Sequence, residues 1–147
     1  MDIIPTTSPL EIEHYFFSEI MFQAFPPEDG SEKVLPESVI SYSHTPVEDS
    51  GKFQILLRVA SEEEEKGLYL YRFRIASVGV FRWKDELPEE PGERDALVEK
   101  LIITGLSILY SGTRNMLQTI TSTGPYPLPY LLQPVSFIPR PPAEENA

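Results

Sequence analysis

The N-terminal part of the chain alternates apolar and polar residues with the period of a β-strand. Over residues 10–24 the even positions carry most of the apolar side chains, which predicts a long strand with one buried face. The odd face is not cleanly polar, because Tyr15, Phe17 and Met21 lie on it. Either these are scattered surface residues of the usual kind, or a second subunit or a ligand covers this face.

Three further segments have strand patterns and are separated by turn residues. Residues 39–47 form a short, peripheral pattern, and residues 52–60 alternate bulky apolar residues with mostly polar ones. Residues 68–84 exceed the length of a simple strand, and their apolar phase shifts around residues 76–79. Gly79 is therefore predicted to mark a bulge or a bend.

Helical spacing replaces the strand pattern after an acidic loop at residues 85–94. A first helical segment is predicted over residues 95–104, with Asp95 as its N-terminal cap. Gly105 is expected to weaken or bend the helix before its second part, where Leu106 begins an apolar stripe with the spacing of one helical face. The stripe predicts that one side of this helix is buried.

A glycine-proline pair, Gly124-Pro125, marks the end of the helix. The pair predicts termination near Ser122 or Thr123, with Gly124 in the left-handed conformation. From there to Phe137, four prolines alternate with bulky apolar residues, so the backbone is expected to be extended. We expect this segment to lie in a groove or to form the wall of one.

The order of the elements, strands first and then helix, indicates an α+β domain with an antiparallel sheet covered on one side. At 147 residues the chain has the length of one domain. We expect that domain to span residues 10–137, with a flexible leader at residues 1–9 and a flexible tail at residues 138–147.

Charge and composition narrow the function. The formal net charge of −11 argues against binding to nucleic acid or anionic lipid, because both need clustered Lys and Arg side chains, and it fits basic or unfolded polypeptides better. The chain has no cysteine, which excludes disulfides and thiolate chemistry and favours a cytoplasmic location. It shows no N-terminal signal pattern and no run of about 18 apolar residues, so neither export nor membrane insertion is expected.

The residues able to carry chemistry do not form a catalytic or metal-binding motif. The two histidines, His14 and His44, lack metal-site spacing, and His14 is expected to be a structural histidine on the apolar face of the first strand. The carboxylate pairs lie in predicted turns, where water screens them. We therefore expect no enzymatic activity, no cofactor and no metal ion.

Four stretches of the chain carry the motifs of a known family. The first strand has an aromatic residue, an acidic position and an apolar run into a proline, and the C-terminal part has an aromatic helix start, an arginine one turn later, a glycine cap and a Pro-Val-x-Phe ending. These positions are Tyr15, Glu19, Ile20, Phe22, Ala24 and Pro26; Leu57, Arg58 and Val59; Gly79, Val80 and Phe81; and Tyr110, Arg114, Gly124, Pro134, Val135 and Phe137. In these positions the chain resembles the SecB family of export chaperones.

The resemblance implies a four-stranded antiparallel sheet followed by a long helix packed on it. It also implies an ATP-independent holdase that binds unfolded polypeptides in apolar grooves and assembles as a dimer or a dimer of dimers. Such assembly would bury the second apolar face of the first strand. The predicted client-binding residues are Tyr15, Phe17, Met21, Phe25, Tyr126, Tyr130, Leu131 and Leu132.

Family members dock on the SecA motor through acidic side chains of the outer sheet face and through a zinc-binding tail. Here the matching positions hold Glu19 but also Gln23 and Arg74, and the residues after Phe137 include neither Cys nor His. These departures weaken the case for a SecA-type motor as partner. Because Arg72 and Arg74 project from a strand of an acidic protein, they indicate another partner, and together with Glu19 they are the predicted partner-binding residues.

Two functions remain open at this point. The first is a SecB-like holdase for unfolded chains, linked to protein export or to one dedicated client. The alternative is a divergent adaptor or structural module that kept the fold and lost client binding.

Overall fold

Four antiparallel strands and one helix make up the fold. The computed structural model describes residues 7–25, 32–63, 69–125 and 129–140. The elements are β1 (Leu10–Ala24), β2 (Ser38–His44), β3 (Lys52–Ser61), β4 (Tyr71–Trp83) and α1 (Pro91–Ser122). The sheet has the order β1-β4-β3-β2, and α1 packs on the central strands β3 and β4. The predicted α+β class, a four-stranded antiparallel sheet with a long helix on it, is confirmed.

The core lies between α1 and the two central strands. Alternate residues of β3 and β4 point towards the helix, and the apolar ones are almost fully buried because strand side chains alternate between faces. They are Phe53, Ile55, Leu57 and Val59 in β3, and Tyr71, Phe73, Ile75 and Phe81 in β4. Each large side chain buried in this way contributes about 1.5–3 kcal/mol.

β1 does not keep one phase along its length. Its pairing with β4 shifts register at Glu13 and at Ser18, and each extra residue reverses which side chains face the helix. The helix-side residues are Ile12, Tyr15, Phe17, Ile20, Phe22 and Ala24, while His14, Phe16, Glu19, Met21 and Gln23 lie on the outer face, the side of the sheet opposite α1. Even positions therefore face the helix, as predicted, at both ends of β1. Between the bulges the prediction is wrong, because Tyr15 and Phe17 face the helix there and His14 is exposed rather than buried.

The bulge predicted at Gly79 is also wrong. β4 pairs with β3 without a register shift, and its apolar phase changes only because this central strand buries side chains on both faces. Ala76 and Val78, on the outer face, are 2% and 7% exposed. Gly79 makes room instead, because a Cβ there would lie 2.5 Å from the Phe81 ring.

α1 begins earlier than predicted. Pro91 is its first residue, so the predicted cap at Asp95 is wrong. The carboxylate of Glu90 caps the helix, accepting hydrogen bonds from the N–H groups of Gly92 (3.1 Å) and Glu93 (2.8 Å). A carboxylate is favourable here because it satisfies free N–H groups and opposes the helix dipole.

Gly105 does not interrupt the helix, contrary to prediction. A Cβ at this position would collide with Ile55 and would lie 3.3 Å from the Phe81 ring, so glycine allows α1 to approach the sheet closely. By length and composition α1 could also cross a membrane. Its apolar stripe nevertheless packs into the core with β3 and β4, as in a core helix.

α1 ends at Ser122, as predicted, but the left-handed glycine cap is wrong. Thr123 is the C-terminal cap, and the Gly124 N–H donates to the Thr121 carbonyl (3.1 Å). Within the described residues the only glycine with a positive φ is Gly51, at 84°. The helix therefore closes with short-range hydrogen bonds in its last turn.

Candidate client-binding cleft

The C-terminal segment, residues 129–140, lies beside α1 on the β2 side of the sheet. Tyr130 anchors it, donating from its hydroxyl to the Pro36 carbonyl (2.8 Å) and from its N–H to Thr121 Oγ1 (2.7 Å). Its ring also packs 5.5 Å, centroid to centroid, from the ring of Phe73. These contacts tie the segment both to the end of α1 and to the chain just before β2.

The segment then runs back along the helix. The Tyr110 hydroxyl donates to the Gln133 carbonyl (2.5 Å), and the ring of Phe137 packs edge-on against the Tyr110 ring at 5.8 Å. Burial raises the pKa of both Tyr110 and Tyr130. Both hydroxyls are therefore neutral donors at ordinary pH, as these hydrogen bonds require.

A cleft of about 410 Å³ opens between the end of this segment, α1 and β2. We name it the C-terminal cleft. Its walls are Tyr42 and His44 of β2; Asp95, Val98, Glu99, Ile102, Ile103 and Leu106 of α1; and Phe137, Ile138, Pro139 and Arg140 of the C-terminal segment. Its volume falls within the range of small-molecule sites, about 300–1,000 Å³.

The cleft has an apolar lining with charges near it. The α1 positions recur every three or four residues, so they share one side of the helix. Tyr42 and Ile138 remain 57% and 76% exposed, which leaves apolar surface for a ligand to cover. Asp95 and Glu99 add negative charge on the helix side. Among the described residues, no three His, Asp or Glu side chains are grouped so as to hold a metal ion.

A second apolar strip lies at the opposite edge of the sheet. We name it the β1 margin; it consists of Ile12, Tyr15 and Ile20, which are 46%, 39% and 50% exposed although they face the helix side. They remain exposed because α1 lies over the central strands. The Tyr15 hydroxyl rests against Gly112 of α1, where a Cβ would collide with it, and burial raises the pKa of Tyr15.

The predicted client-binding residues near β1 lie in three places. Tyr15 and Phe17 face the helix side with their rings edge to face at 5.5 Å. Met21 lies on the outer face. Phe25 follows β1, half-buried, with the Lys33 ammonium 5.4 Å from its ring centroid. The structure brings together only Tyr15 and Phe17 of this group.

Two of the three described client-binding residues predicted in the C-terminal part lie in the core. Tyr130 and Leu132 are 7% and 1% exposed, whereas Leu131 between them is 52% exposed. Tyr126 lies outside the described residues. The seven residues that the structure describes thus do not form one groove, and the role of all eight in client binding stays a prediction.

The predicted partner-binding residues do lie together. Arg74 and Glu19 form an ion pair on the outer face, with Arg74 Nε 2.5 Å from Glu19 Oε1. Arg72 projects from the same face of β4, opposite Gln23.

The sequence predicted that the segment after the helix lies in a groove or forms the wall of one, but it did not predict how the walls of the C-terminal cleft come together. The helical stripe through Val98 and Ile102 is visible in the sequence, and so is the alternation that places Tyr42 on one face of β2. The position of Phe137 and Ile138 beside them is not visible, because it depends on where the C-terminal segment folds back.

No model of a known protein family matches the chain, and no curated protein is similar to it in sequence. Solved structures are similar in shape. The SecB-like chaperone Rv1957 from Mycobacterium tuberculosis, solved in complex with a ChAD peptide from the HigA1 antitoxin, matches over 86% of this chain and 90% of its own, with a TM-score of 0.60 and 12% identity. The chain has a SecB-like fold. A protein of unknown function from Streptococcus agalactiae also matches, over 87% of this chain and 99% of its own, with a TM-score of 0.46 and 12% identity. The SecB-like fold confirms the resemblance carried by the sequence motifs.

Proposed function

We propose that this protein is an ATP-independent holdase that binds an extended, apolar segment of a non-native polypeptide in the C-terminal cleft. The observation that carries the proposal is the cleft itself, an open concavity with an apolar lining whose members Tyr42 and Ile138 are largely exposed. The SecB-like fold supports it, because the similar structure from Mycobacterium tuberculosis holds a peptide of an antitoxin.

Burial of apolar side chains supplies the binding energy. Each client side chain that is fully desolvated contributes about 1.5–3 kcal/mol, so a few of them support a reversible complex without nucleotide hydrolysis. The contacts are mostly apolar and non-directional, so they tolerate many client sequences. A holdase that protects unfolded chains needs this tolerance.

Charge narrows the client class. Asp95 and Glu99 outnumber Arg140 in the cleft lining, and the whole chain carries a net charge of −11. Client segments that combine apolar residues with Lys or Arg therefore bind more tightly than acidic ones, and added salt weakens this preference by screening. This preference for apolar segments with Lys or Arg is compatible with two kinds of client, precursors awaiting export and a single dedicated protein.

A second copy of the chain covers the β1 margin in this proposal. Ile12, Tyr15 and Ile20 are apolar and exposed, and β1 is an edge strand, so one of its two edges pairs with no strand of the described residues. A sizing experiment tests this assembly. Wild-type protein should elute as an oligomer, and Ile12→Asp with Ile20→Asp should shift it to the monomer. A strictly monomeric wild type would contradict the assembly.

Light scattering by a reduced, aggregating client tests the holdase itself. The wild type should suppress aggregation, and the double variant Tyr42→Asp/Ile138→Asp should need at least about tenfold more protein for the same effect, because two apolar contacts are lost. The matched control is Val39→Asp/Val135→Asp, which alters the same strand and the same segment at positions that are 55% and 38% exposed but outside the cleft. The control should suppress aggregation as the wild type does.

Two results would contradict the proposal in different ways. If the wild type does not slow aggregation, the adaptor or structural module is the better description. If the two double variants lose suppression equally, the protein is a holdase whose site lies elsewhere.

A further inference from the structure

The outer face of the sheet concentrates positive charge on an acidic protein. All five Lys and Arg residues of the four strands project from it, whereas the strands contribute only three carboxylates there. The cations are Lys52, Arg58, Arg72, Arg74 and Arg82, and the carboxylates are Glu11, Glu13 and Glu19. This local surplus has the opposite sign to the chain's net charge of −11.

Ion pairs within the face neutralise some of these cations. Glu13 accepts from Arg82 (2.9 Å) and lies 3.9 Å from the Lys52 ammonium, and Glu19 pairs with Arg74. These pairs are solvent-exposed and individually weak, so they hold the side chains only loosely.

Two arginines have no carboxylate partner within the described part of the chain. Arg58 and Arg72 are both exposed, and neither forms an ion pair or a side-chain hydrogen bond there. Glu62, which directly follows β3, accepts a hydrogen bond from the Tyr69 hydroxyl (3.5 Å). Guanidinium groups presented in this way are suited to carboxylates from another molecule.

An apolar row crosses the same face beside these arginines. Phe16, Val78 and Leu56 lie opposite one another on β1, β4 and β3. Phe16 is 50% exposed, an unusual position for a phenylalanine in the middle of a strand. The face therefore offers an aromatic contact in addition to charge.

Strand geometry sets the spacing of these features. On β4, Arg72 lies four residues before Ala76, which pairs with Arg58 of β3. Val78, in the apolar row, follows Ala76 by two residues. At about 3.3 Å per residue, the arginines are separated by roughly 13 Å along the sheet and the apolar row lies roughly 7 Å further on. An extended segment laid along the strands would match them with carboxylates four residues apart and an apolar side chain two residues beyond.

We propose that the outer face is a docking surface for an acidic polypeptide segment of a partner protein, one that carries apolar side chains between its carboxylates. Charge complementarity selects this partner over nucleic acid. The face interleaves its cations with carboxylates, which repel phosphates, and its apolar row has no use in binding a phosphate backbone. The surface lies opposite α1 and the C-terminal cleft, so the partner and the client can bind at the same time.

The probe is a fluorescein-labelled peptide, (Glu-Ser-Glu-Ser-Glu-Ser-Leu-Ser)₂, which places two carboxylates four residues apart and a leucine two residues beyond on the same face of an extended chain. The measurement is its fluorescence anisotropy with the full chain at low salt, and the uncharged peptide (Gln-Ser-Gln-Ser-Gln-Ser-Leu-Ser)₂ serves as the comparison. Saturable binding of the acidic peptide alone, weakened by added salt, is the expected result. Failure of the acidic peptide to bind better than the uncharged one would overturn the proposal.

Charge-reversal variants locate the site. Arg58→Glu/Arg72→Glu should weaken binding at least about tenfold, the effect of losing two charge-assisted contacts and adding repulsion. The control Arg94→Glu/Lys100→Glu makes the same change in net charge on α1, outside the C-terminal cleft, and should stay within about twofold of the wild type. Equal loss in both variants, or loss only in the control, would overturn the assignment to the outer face.

Three further measurements test the aromatic contact and separate the proposed occupant of the surface from other occupants. Phe16→Ser should weaken peptide binding several-fold, since the aromatic contact is lost. Displacement of the peptide by an equal concentration of duplex DNA would show a nucleic-acid site instead. A change in oligomeric state in Arg58→Glu/Arg72→Glu would show a contact between copies of this chain. Because the client assay uses the opposite face, this proposal can fail while the holdase proposal stands, and the reverse.

Discussion

On the helix side, the two edges of the sheet differ in how far they are covered. At the β2 edge the C-terminal segment lies against α1 and places Tyr130 and Leu132 in the core, at 7% and 1% exposure. At the β1 edge no described segment covers the sheet, and Ile12 and Ile20 stay about half exposed. One helix thus has a covered flank and an open flank.

The difference shows how a single helix on a four-stranded sheet can produce two kinds of surface. The covered flank becomes concave, because the segment forms a second wall beside α1 and leaves the C-terminal cleft between them. The open flank remains a strip of apolar side chains along an edge strand, which suits pairing with another chain. Concavity suits a client segment and the strip suits a second copy.

The largest effect is expected at the covered flank. Leu132→Ala should lower the free energy of unfolding by about 2–5 kcal/mol, because it leaves a cavity in the core under the segment. Leu131→Ala, one residue away and 52% exposed, should change it by less than about 0.5 kcal/mol. Urea unfolding measures both. Equal effects would mean that the segment does not pack as described and that the cleft loses its second wall.

A smaller change in the free energy of unfolding is expected for glycine substitutions in α1, and it should differ between the centre of the helix and its open flank. Gly105→Ala would force a methyl group against Ile55 and the Phe81 ring, an overpacking cost of about 1–3 kcal/mol that exceeds the helix-propensity gain of about 1 kcal/mol. Gly112→Ala meets only the end of the Tyr15 side chain, which can move into the open margin. We expect it to be neutral or slightly stabilising.

The urea midpoints of the two glycine variants decide this comparison. Should Gly112→Ala be as destabilising as Gly105→Ala, Tyr15 is held in place and the β1 margin is not open in solution. Repeating the measurement on the monomeric Ile12→Asp/Ile20→Asp background would then show whether a second copy holds it.

A further, small effect concerns alkaline pH. Burial raises the pKa of Tyr130 above its ordinary value of 10.0, so the unfolded chain loses this proton at lower pH than the folded chain. The associated stability is present below pH 10 and is lost as the pH rises through the folded pKa. The urea midpoint should fall above pH 10, and it should fall less in Tyr130→Phe than in the wild type.

The same substitution distinguishes the two flanks at pH 8. Tyr130→Phe removes the hydrogen bond to Pro36 and should cost about 0.5–1.5 kcal/mol. Tyr15→Phe should cost less, because the Tyr15 hydroxyl makes no hydrogen bond within the described residues. A larger cost for Tyr15→Phe would contradict the description of the β1 margin as open.

The sequence by itself determined the order and type of the elements. Alternation placed β3 and β4, helical spacing predicted a long amphipathic helix, and the glycine-proline pair marked its end at Ser122. These features are local, because each depends on neighbouring residues and on one buried side. The motifs around Tyr110 and Phe137 also indicated the SecB-like fold.

Tertiary structure decided what local patterns could not. The bulges at Glu13 and Ser18 reverse the faces of β1, and they exist only through pairing with β4. Gly79 and Gly105 looked like interruptions but are points of close packing. The position of the C-terminal segment rests on contacts such as that of Tyr130 with Pro36, which are 94 residues apart. The periodicity of a sequence indicates which side chains can be buried, whereas the assembled fold determines which residues they contact. The C-terminal cleft arises from those contacts.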